Sequence, residues 1–503
     1  MTRAGRLPAT LLALAALMAL RPAGPMVHAE DAPGGAPRGG RGGRGGEGGK
    51  GGPPGVFRTD VPDHEVDAVL GRPTRTSVVV SVRATAALEV CVAWGPAGRD
   101  GTRRTDVHAL RPDEPVLVPL PGLEPDTAYV ARVLRRASPP SPWAEGEALA
   151  FRTQRPAGSS FTFTVVADSH LDQATDLTVL DGTLANVAAD VPDFHVDLGD
   201  TFMTDKYRDD FKAALPQYRA QRWWLSRVRA PVFLALGNHD GETGWRDRGT
   251  ADDMPHWSLA QRKRYFPNPE PDDFYAGNDT PDPVGGRLQN WYGWTWGDAQ
   301  FLVLDPYWST RNRKGRDGDG WTWTLGEAQY RWLEKTLATR PARYRFVFLH
   351  HLVGGLGFEA RGGLEAARLY EWGGRSFEGA EQFAAKRPGW SAPVHDLLRR
   401  AGATVVFHGH DHFYARQELD GVVYQLVPQP GHPGGDAAKM AAAYGYVAGE
   451  FLPSPGHVRV RVTPQTATVE YVRGGPRGPA AAATVVKAYT VPAAGAAPVT
   501  PSK

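Results

Sequence analysis

The feature that most limits how this chain can fold is a series of short apolar segments, each ending in or followed by aspartate, asparagine or histidine. The segments read FTFTVVA, DFHVDLG, PVFLALG, AQFLVLD, YRFVFLH and ATVVFHG, between residues 161 and 409. Stretches such as LGEAQYRWLEKTLATR lie between them, so the pattern predicts strands alternating with helices in an α/β domain over residues 160–492. Sheets of this kind place functional residues just past the carboxyl ends of their strands.

The polar residues at these strand ends form five blocks, ADSH, GD, GNHD, LHH and GHDH. In the last block His410 and His412 stand two positions apart, so an extended backbone points both imidazoles to the same side. Carboxylate, amide and imidazole groups together suit transition metals. We interpret His408 and His195 as structural histidines rather than ligands.

In this order the blocks resemble those of the calcineurin-like metallophosphoesterase superfamily, which are Asp-x-His, Gly-Asp, Gly-Asn-His-(Asp/Glu), a lone His and Gly-His-x-His. The segments NWYGWTWGDAQFLVLDPYW and GHDHFYAR are similar to segments of its purple acid phosphatase-like branch. The resemblance implies a four-layer β-sandwich flanked by helices and preceded by a small all-β domain similar to fibronectin type III.

The resemblance also implies a set of metal ligands. One ion would be held by Asp168, His170, Asp200 and His412, and the second by Asp200, Asn238, His350 and His410, with Asp200 bridging. The expected ions are two divalent or mixed-valence transition metals, Fe, Mn or Zn. Asp240, His351 and Asp411 are expected next to the ligands; Asp240 and Asp411 could orient imidazoles or be solvated turn carboxylates.

The chain departs from the purple acid phosphatases at one informative position. In those enzymes a tyrosine three residues after the Gly-Asp aspartate binds ferric iron and produces the colour, whereas here Met203 stands at that position. The first block also ends in His170 where they have glycine. A purple iron–tyrosinate centre is therefore not expected, and His170 takes the ligand position as in the wider superfamily.

The resemblance implies an exported phosphoesterase with two metals that hydrolyses phosphate monoesters or diesters by attack of a metal-bridging hydroxide. His239, beside ligand Asn238, would be the general acid for the leaving group. The expected partner is a small phosphorylated substrate, bound by insertions at 241–292 and 353–392 unless these only cover the sheet edge. The alternative is a non-catalytic exported binding or adhesion protein on the same scaffold.

The region before the α/β domain divides into three predicted parts. Residues 1–29 resemble a secretory signal, with two arginines before the apolar stretch LPATLLALAALMAL and a small-residue site at VHA. Residues 30–69 are rich in Gly and Arg and predict a flexible linker. Residues 70–155 predict a β-sandwich, in which LPGLEPDTAYVARV resembles the Leu-x-Pro-x-Thr-x-Tyr corner of fibronectin type III domains.

Composition limits the binding partners and the cellular location that we expect for this protein. A net charge of +2 favours no nucleic-acid partner, and the single Cys91 excludes an intrachain disulfide. No stretch after the signal is long and apolar enough for a transmembrane helix, so we expect a periplasmic, cell-surface or extracellular protein. The Gly/Arg linker could associate weakly with an anionic surface, and residues 493–503 predict a disordered tail.

Overall fold

The computed structural model describes residues 56–99, 103–312, 320–339, 341–353, 363–477 and 483–494. The predicted signal 1–29, most of the predicted linker 30–69 and the predicted tail beyond residue 494 lie outside these ranges. Within the described ranges, no helix is both long enough and apolar enough to span a bilayer.

The N-terminal part of the described chain is all-β and antiparallel. Its strands are β1 (Val66–Gly71), β2 (Ser77–Ala84), β3 (Leu88–Pro96), β4 (Arg103–Arg104), β5 (His108–Leu110), β6 (Val116–Pro121), β7 (Ala128–Arg136) and β8 (Ala144–Arg152). One sheet has the order β1–β2–β6 and the other β4–β3–β7–β8, with β5 paired to β3. The Tyr129 hydroxyl accepts a hydrogen bond from Glu124 N at 2.8 Å, within the predicted corner. Membership of the fibronectin type III class stays a prediction.

The predicted start of this domain at residue 70 is wrong, because β1 begins at Val66, inside the predicted linker 30–69. The strand pairs with β2 from Val66 opposite Ala84 to Gly71 opposite Val79. Leu70 packs in the core of the N-terminal domain, whereas Val69 packs against helices of the second domain. The strand carries the buried, charged Asp67, which pairs with Arg222 of the second domain, so the segment does not read as an apolar strand.

The second domain contains two large sheets and helices on their outer faces. Its strands are β9 (Phe161–Val166), β10 (Phe194–Asp197), β11 (Val232–Leu234), β12 (Ala276–Gly277), β13 (Tyr292–Trp296), β14 (Ala299–Val303), β15 (Tyr344–Phe348), β16 (Val405–His408), β17 (Phe413–Leu419), β18 (Val422–Leu426), β19 (Glu450–Pro453), β20 (Gly456–Val462), β21 (Thr466–Arg473) and β22 (Val485–Pro492). Its helices are α1 (Leu177–Ala189), α2 (Leu215–Ser226), α3 (Met254–Tyr265), α4 (Glu327–Thr339), α5 (Gly363–Ala367), α6 (Tyr370–Gly373), α7 (Phe383–Lys386), α8 (Val394–Arg400) and α9 (Ala437–Ala443).

The sheets have the orders β11–β10–β9–β20–β21–β22 and β12–β13–β14–β15–β16–β18–β17–β19. They face each other through aromatic side chains: Phe163 on β9 makes edge contacts with Phe301 and Phe346 of the other sheet, at ring-centroid distances of 5.4 and 5.1 Å. Residues of α1, α2 and α3 cover the outer face of the first sheet, and residues of α4 and α8 cover that of the second. The predicted four-layer α/β fold is confirmed.

A buried ion cluster joins the two domains. Asp67 on β1 accepts hydrogen bonds from Arg222 Nε on α2 at 2.5 Å and from Arg83 Nε on β2 at 2.8 Å. The Asp67 and Arg222 side chains are 1% and 0% exposed, so neither charge is hydrated. Burial by itself would raise the pKa of Asp67, but Arg222, His64 and Arg83 lower it to about 2.

Replacing Asp67 by Asn should therefore weaken folding strongly, because Arg222 would remain buried without a counter-charge. We expect the free energy of unfolding to fall by about 3–5 kcal/mol. The lowered pKa means that the wild-type ion cluster stabilises fully above about pH 4 and loses its contribution as pH falls toward the pKa of about 2.

Urea unfolding over this pH range would measure both effects. The variant should lose part of the pH dependence seen in the wild type. Asp126→Asn is the matched control, because Asp126 pairs with Arg152 at the surface, where it is 42% exposed, and such pairs contribute little. Equal losses in the two variants would contradict the assignment.

Candidate metal centre

Strand ends from both sheets deliver the predicted ligands to one place. The strands β9, β10 and β11 are parallel to one another, as are β15 and β16, so each set of carboxyl ends lies on one edge. Ligand atoms of Asp168, His170 and His412 lie within 4.8 Å of one another, and so do those of Asp200, His350 and His410. These two groups belong to the two ligand sets that the sequence predicts.

Asp200 stands between the two groups. Its Oδ2 lies 3.1 Å from His350 Nε2 and 3.9 Å from His170 Nε2, so one carboxylate faces both clusters. The backbone N of His239 donates to the other oxygen, Asp200 Oδ1, at 2.8 Å. Asn238 precedes His239 in the chain and is therefore held beside the same carboxylate.

The buried donor atoms at this place fit cations. Four of them make no hydrogen bond of acceptable angle among the described residues, although His350 Nε2 lies near Asp200: Asp168 Oδ1, His170 Nε2, Asn238 Oδ1 and His350 Nε2. The Nδ1 of His350 lies 3.1 Å from the carbonyl oxygen of Leu198, which can only accept, so Nδ1 carries the proton and Nε2 faces the cluster. Cations would satisfy these four atoms, each of which otherwise destabilises the fold by remaining unpaired.

The charges at the centre are arranged around the same two carboxylates. Burial by itself would lower the pKa of His350, but Asp200 and Asp168 raise it to about 9. Burial would likewise lower the pKa of His170, but the nearby carboxylates of Asp168 and Asp172 raise it to about 10. The site therefore favours positive charge, which protons supply in the absence of metal and which cations can replace.

The backbone of the ligand loops is strained. Left-handed φ angles occur at Asp168 (59°), His170 (36°), Asp200 (54°), His410 (80°) and His412 (66°), none of which is glycine. Each such residue costs of order 1–3 kcal/mol, and such strain is typical of functional sites. Glycine is required next to them: a Cβ on Gly237 would lie 2.1 Å from Asp200 N.

The residues expected next to the ligands are all buried. Asp240 accepts backbone N–H groups of Asp200, Thr201, Phe202 and Gly237, so it ties two ligand loops together. The ring of His351 lies 4.5 Å from that of His410. Asp411 accepts from the Tyr446 hydroxyl at 2.8 Å. The interpretation of Asp240 and Asp411 as solvated turn carboxylates is wrong, because they are 1% and 0% exposed.

Sequence reasoning missed two carboxylates that hold histidines of the site. Asp205 Oδ1 lies 2.9 Å from His239 Nδ1, and Asp172 Oδ2 lies 3.4 Å from His170 Nδ1. Asp172 also accepts from the backbone N of Thr175, so its loop is fixed. A carboxylate on one imidazole nitrogen orients the ring and directs the other nitrogen into the centre. Asp172 stands two residues after His170, and this short spacing was an available signal, whereas Asp205 stands 34 residues before His239 and offered none.

Another Asp/His cluster lies outside this centre. Ligand atoms of Asp247, Asp253 and His256 also lie within 4.8 Å of one another. Both ring nitrogens of His256 are already paired, Nδ1 with Asp253 at 2.7 Å and Nε2 with Asp282 at 3.0 Å. Asp253 also caps α3 by accepting His256 N. The cluster fixes the start of the helix and presents no unpaired donor atom.

Gly237→Ala tests whether the close approach of the loops builds the centre. The added Cβ would meet Asp200 N at 2.1 Å and Asp200 Oδ1 at 2.2 Å, so the loop must shift and carry Asn238 away. We expect weaker metal uptake by elemental analysis and a lower Tm. Gly475→Ala is the control, since nothing lies within 4 Å of its Cβ. Unchanged metal uptake in Gly237→Ala would contradict the packing.

The comparisons with known proteins agree with this geometry. The family profile described as calcineurin-like phosphoesterase matches residues 161–414, slightly more than half of the chain. A solved structure titled "Structure of PhoD" has a TM-score of 0.55 at 16% identity, over 85% of this chain and 88% of that one. The purple acid phosphatase PPD1 from yellow lupin (Lupinus luteus) seeds has a TM-score of 0.53 at 15% identity, over 86% and 77%.

At such identities the structural likeness shows the fold alone, and it agrees with the fold expected for the purple acid phosphatase-like branch. The search of curated proteins finds no match. The family match spans the metal-ligand blocks from Asp168 to His412, and the chain belongs to the calcineurin-like phosphoesterase family.

Proposed function

We propose that this protein is an exported phosphoesterase that uses two metal ions to hydrolyse phosphate monoesters or diesters. The observation that carries the proposal is the pair of ligand clusters that both face Asp200. Beside it, buried atoms of Asp168, His170 and Asn238 have no hydrogen-bond partner among the described residues. Asp168, His170, Asp200 and His412 would hold one ion, and Asp200, Asn238, His350 and His410 the other. Iron, manganese and zinc all suit these donors.

Two bound cations would polarise the phosphoryl group and lower the pKa of a bound water. The chain itself shapes how a substrate reaches them. The His412 and His239 side chains are 34% and 18% exposed, whereas those of Asp168 and Asp200 are at most 1% exposed. The centre therefore opens beside His412 and His239, and a small phosphate ester would approach from that side.

His239 is placed to protonate the leaving group. Asp205 accepts from its Nδ1 at 2.9 Å, so its Nε2 is the nitrogen available to the substrate. That Nε2 lies 4.0 Å from Asp200 Oδ2, at the edge of the ligand cluster. In the proposed reaction Nε2 gives its proton to the ester oxygen as that oxygen leaves phosphorus, and Asp205 stabilises the charge and orientation of the ring.

The proposed location rests on residues 1–29, whose arginines and apolar stretch match an export signal. Cleavage near Glu30 would leave the Gly/Arg linker at the start of the mature protein, where it could bind weakly to anionic surfaces. N-terminal sequencing of protein collected outside the cytoplasm tests the export.

Turnover of an aryl phosphate monoester and of its matching diester decides between the two ester classes. We expect protein loaded with Mn, Zn or Fe to contain two ions per chain and to hydrolyse at least one of the esters. A chelator that removes the ions should abolish the hydrolysis. A strong preference for either ester assigns the class. Protein that holds two ions and hydrolyses neither would favour the non-catalytic binding protein instead.

His239→Gln tests the proton donor. We expect kcat to fall roughly 100- to 10,000-fold with metal content unchanged, and Asp205→Asn to give a smaller fall because the amide still positions the ring without its charge. The fall should be largest for esters with poor leaving groups, which depend most on protonation. The control is His108→Gln, on β5 of the N-terminal domain. Metal loss in His239→Gln would refute the assignment.

A further inference from the structure

A buried tyrosine lies beside the metal centre without a role in the ligand set. Tyr307 is 0% exposed, and its hydroxyl has no hydrogen-bond partner among the described residues. Among the other buried tyrosines, the hydroxyl of Tyr292 donates to Leu234 O at 3.0 Å and that of Tyr344 to Thr463 O at 2.9 Å, whereas that of Tyr414 also has no partner among the described residues. A buried hydroxyl without a partner costs about 1–3 kcal/mol, so Tyr307 calls for an explanation.

The fold places Tyr307 on the same edge as the ligands. It follows β14, which runs parallel to β15 with Val303 opposite Phe348, and His350 follows β15 in the same way. The rings of Tyr307 and His350 lie 6.3 Å apart. Burial and the carboxylates of Asp200, Asp305 and Asp168 raise the pKa of the phenol well above its ordinary value.

The position of the ring is rigid. Tyr307 N donates to Asp305 Oδ1 at 2.7 Å, and Tyr307 O accepts from Gly244 N at 3.1 Å. Trp245 and Trp323 pack against the ring edge-on, both at centroid distances of 6.1 Å. The backbone hydrogen bonds and the ring contacts thus hold the hydroxyl in place, although it makes no hydrogen bond itself within the described part of the chain.

We propose that Tyr307 binds the substrate by donating a hydrogen bond from its hydroxyl to a phosphoryl oxygen held at the ligand cluster. The assignment rests on the proposed function. A donor fixed in a site that excludes water stabilises the charge on the phosphoryl group at no cost of reorganisation. Tyr307 would thereby help to select a tetrahedral oxyanion and to hold it in line with His239.

Tyr307→Phe isolates the hydroxyl, with Tyr344→Phe as the matched control at the opposite end of β15. Binding of inorganic phosphate to metal-loaded protein, measured by calorimetry, is the main readout. We expect Tyr307→Phe to weaken phosphate binding and to lower kcat/KM, each roughly 10- to 100-fold, with metal content unchanged. Tyr344→Phe should leave phosphate binding unchanged.

Stability gives a second, independent readout. In metal-free protein Tyr307→Phe removes an unpaired buried hydroxyl, so its Tm should equal or exceed that of the wild type, whereas Tyr344→Phe loses a hydrogen bond and should melt lower. This difference separates a group kept for binding from a group kept for folding. A Tyr307→Phe variant that melts lower than Tyr344→Phe would overturn the assignment.

Three further outcomes overturn the proposal. Unchanged phosphate affinity in metal-loaded Tyr307→Phe shows that the hydroxyl does not contact the bound phosphate. If the wild type still hydrolyses esters, the proposed function stands in that case. A visible absorption band on ferric loading that disappears in Tyr307→Phe shows a metal ligand instead. Wild-type protein that binds two ions but neither binds phosphate nor hydrolyses esters would end both proposals together.

Discussion

The packing of two sheets through phenylalanine rings is the constraint on which the metal centre depends. Phe163 on β9 contacts Phe348 and Phe407 of the opposing sheet at 6.0 and 6.1 Å. These rings lie directly below the loops that carry the ligands. Because the strands cannot separate, Asp168 Oδ1 stays 3.8 Å from His350 Nε2 although the two residues belong to different sheets. The chemistry of the centre is therefore built by apolar packing between distant parts of the chain.

That packing holds an arrangement that is unfavourable by itself. Two buried carboxylates, Asp168 and Asp200, lie close together, and both stand in left-handed backbone conformations. Asp240 offsets part of the strain by accepting backbone N–H groups from both ligand loops. The negative charge of the two buried carboxylates is still uncompensated. Positive charge, from protons or from cations, is therefore needed to stabilise the site.

Much of this could be predicted from the sequence, because each ligand block is local and follows a recognisable strand. Parallel strands bring block ends together within each sheet, whereas the meeting of Asp168 with His410 of the opposite sheet was predicted only from the resemblance to the metallophosphoesterase family. Asp205 escaped prediction because it reaches His239 only after the chain folds back through a 3-10 segment at Thr204–Ala214. Strand β1 was missed for another physical reason: its face toward the second domain carries the charged Asp67, which is buried only because Arg222 of that domain pairs with it.

Residue type alone also did not show which aromatic side chains bind a substrate and which only cover the sheets. The aromatic residues near the insertion at 241–292 could stack a substrate or cover the sheets, and the structure buries many of them: Trp294 lies in the core between the sheets with its indole N–H unpaired. Its indole ring stacks on Phe233 and Phe301, at centroid distances of 4.1 and 4.9 Å. The unpaired Tyr307 hydroxyl instead lies at the edge where the strand ends and buried carboxylates meet. An unpaired buried atom indicates function only when it lies next to a functional centre, and the ring of Tyr307 lies 6.3 Å from that of His350.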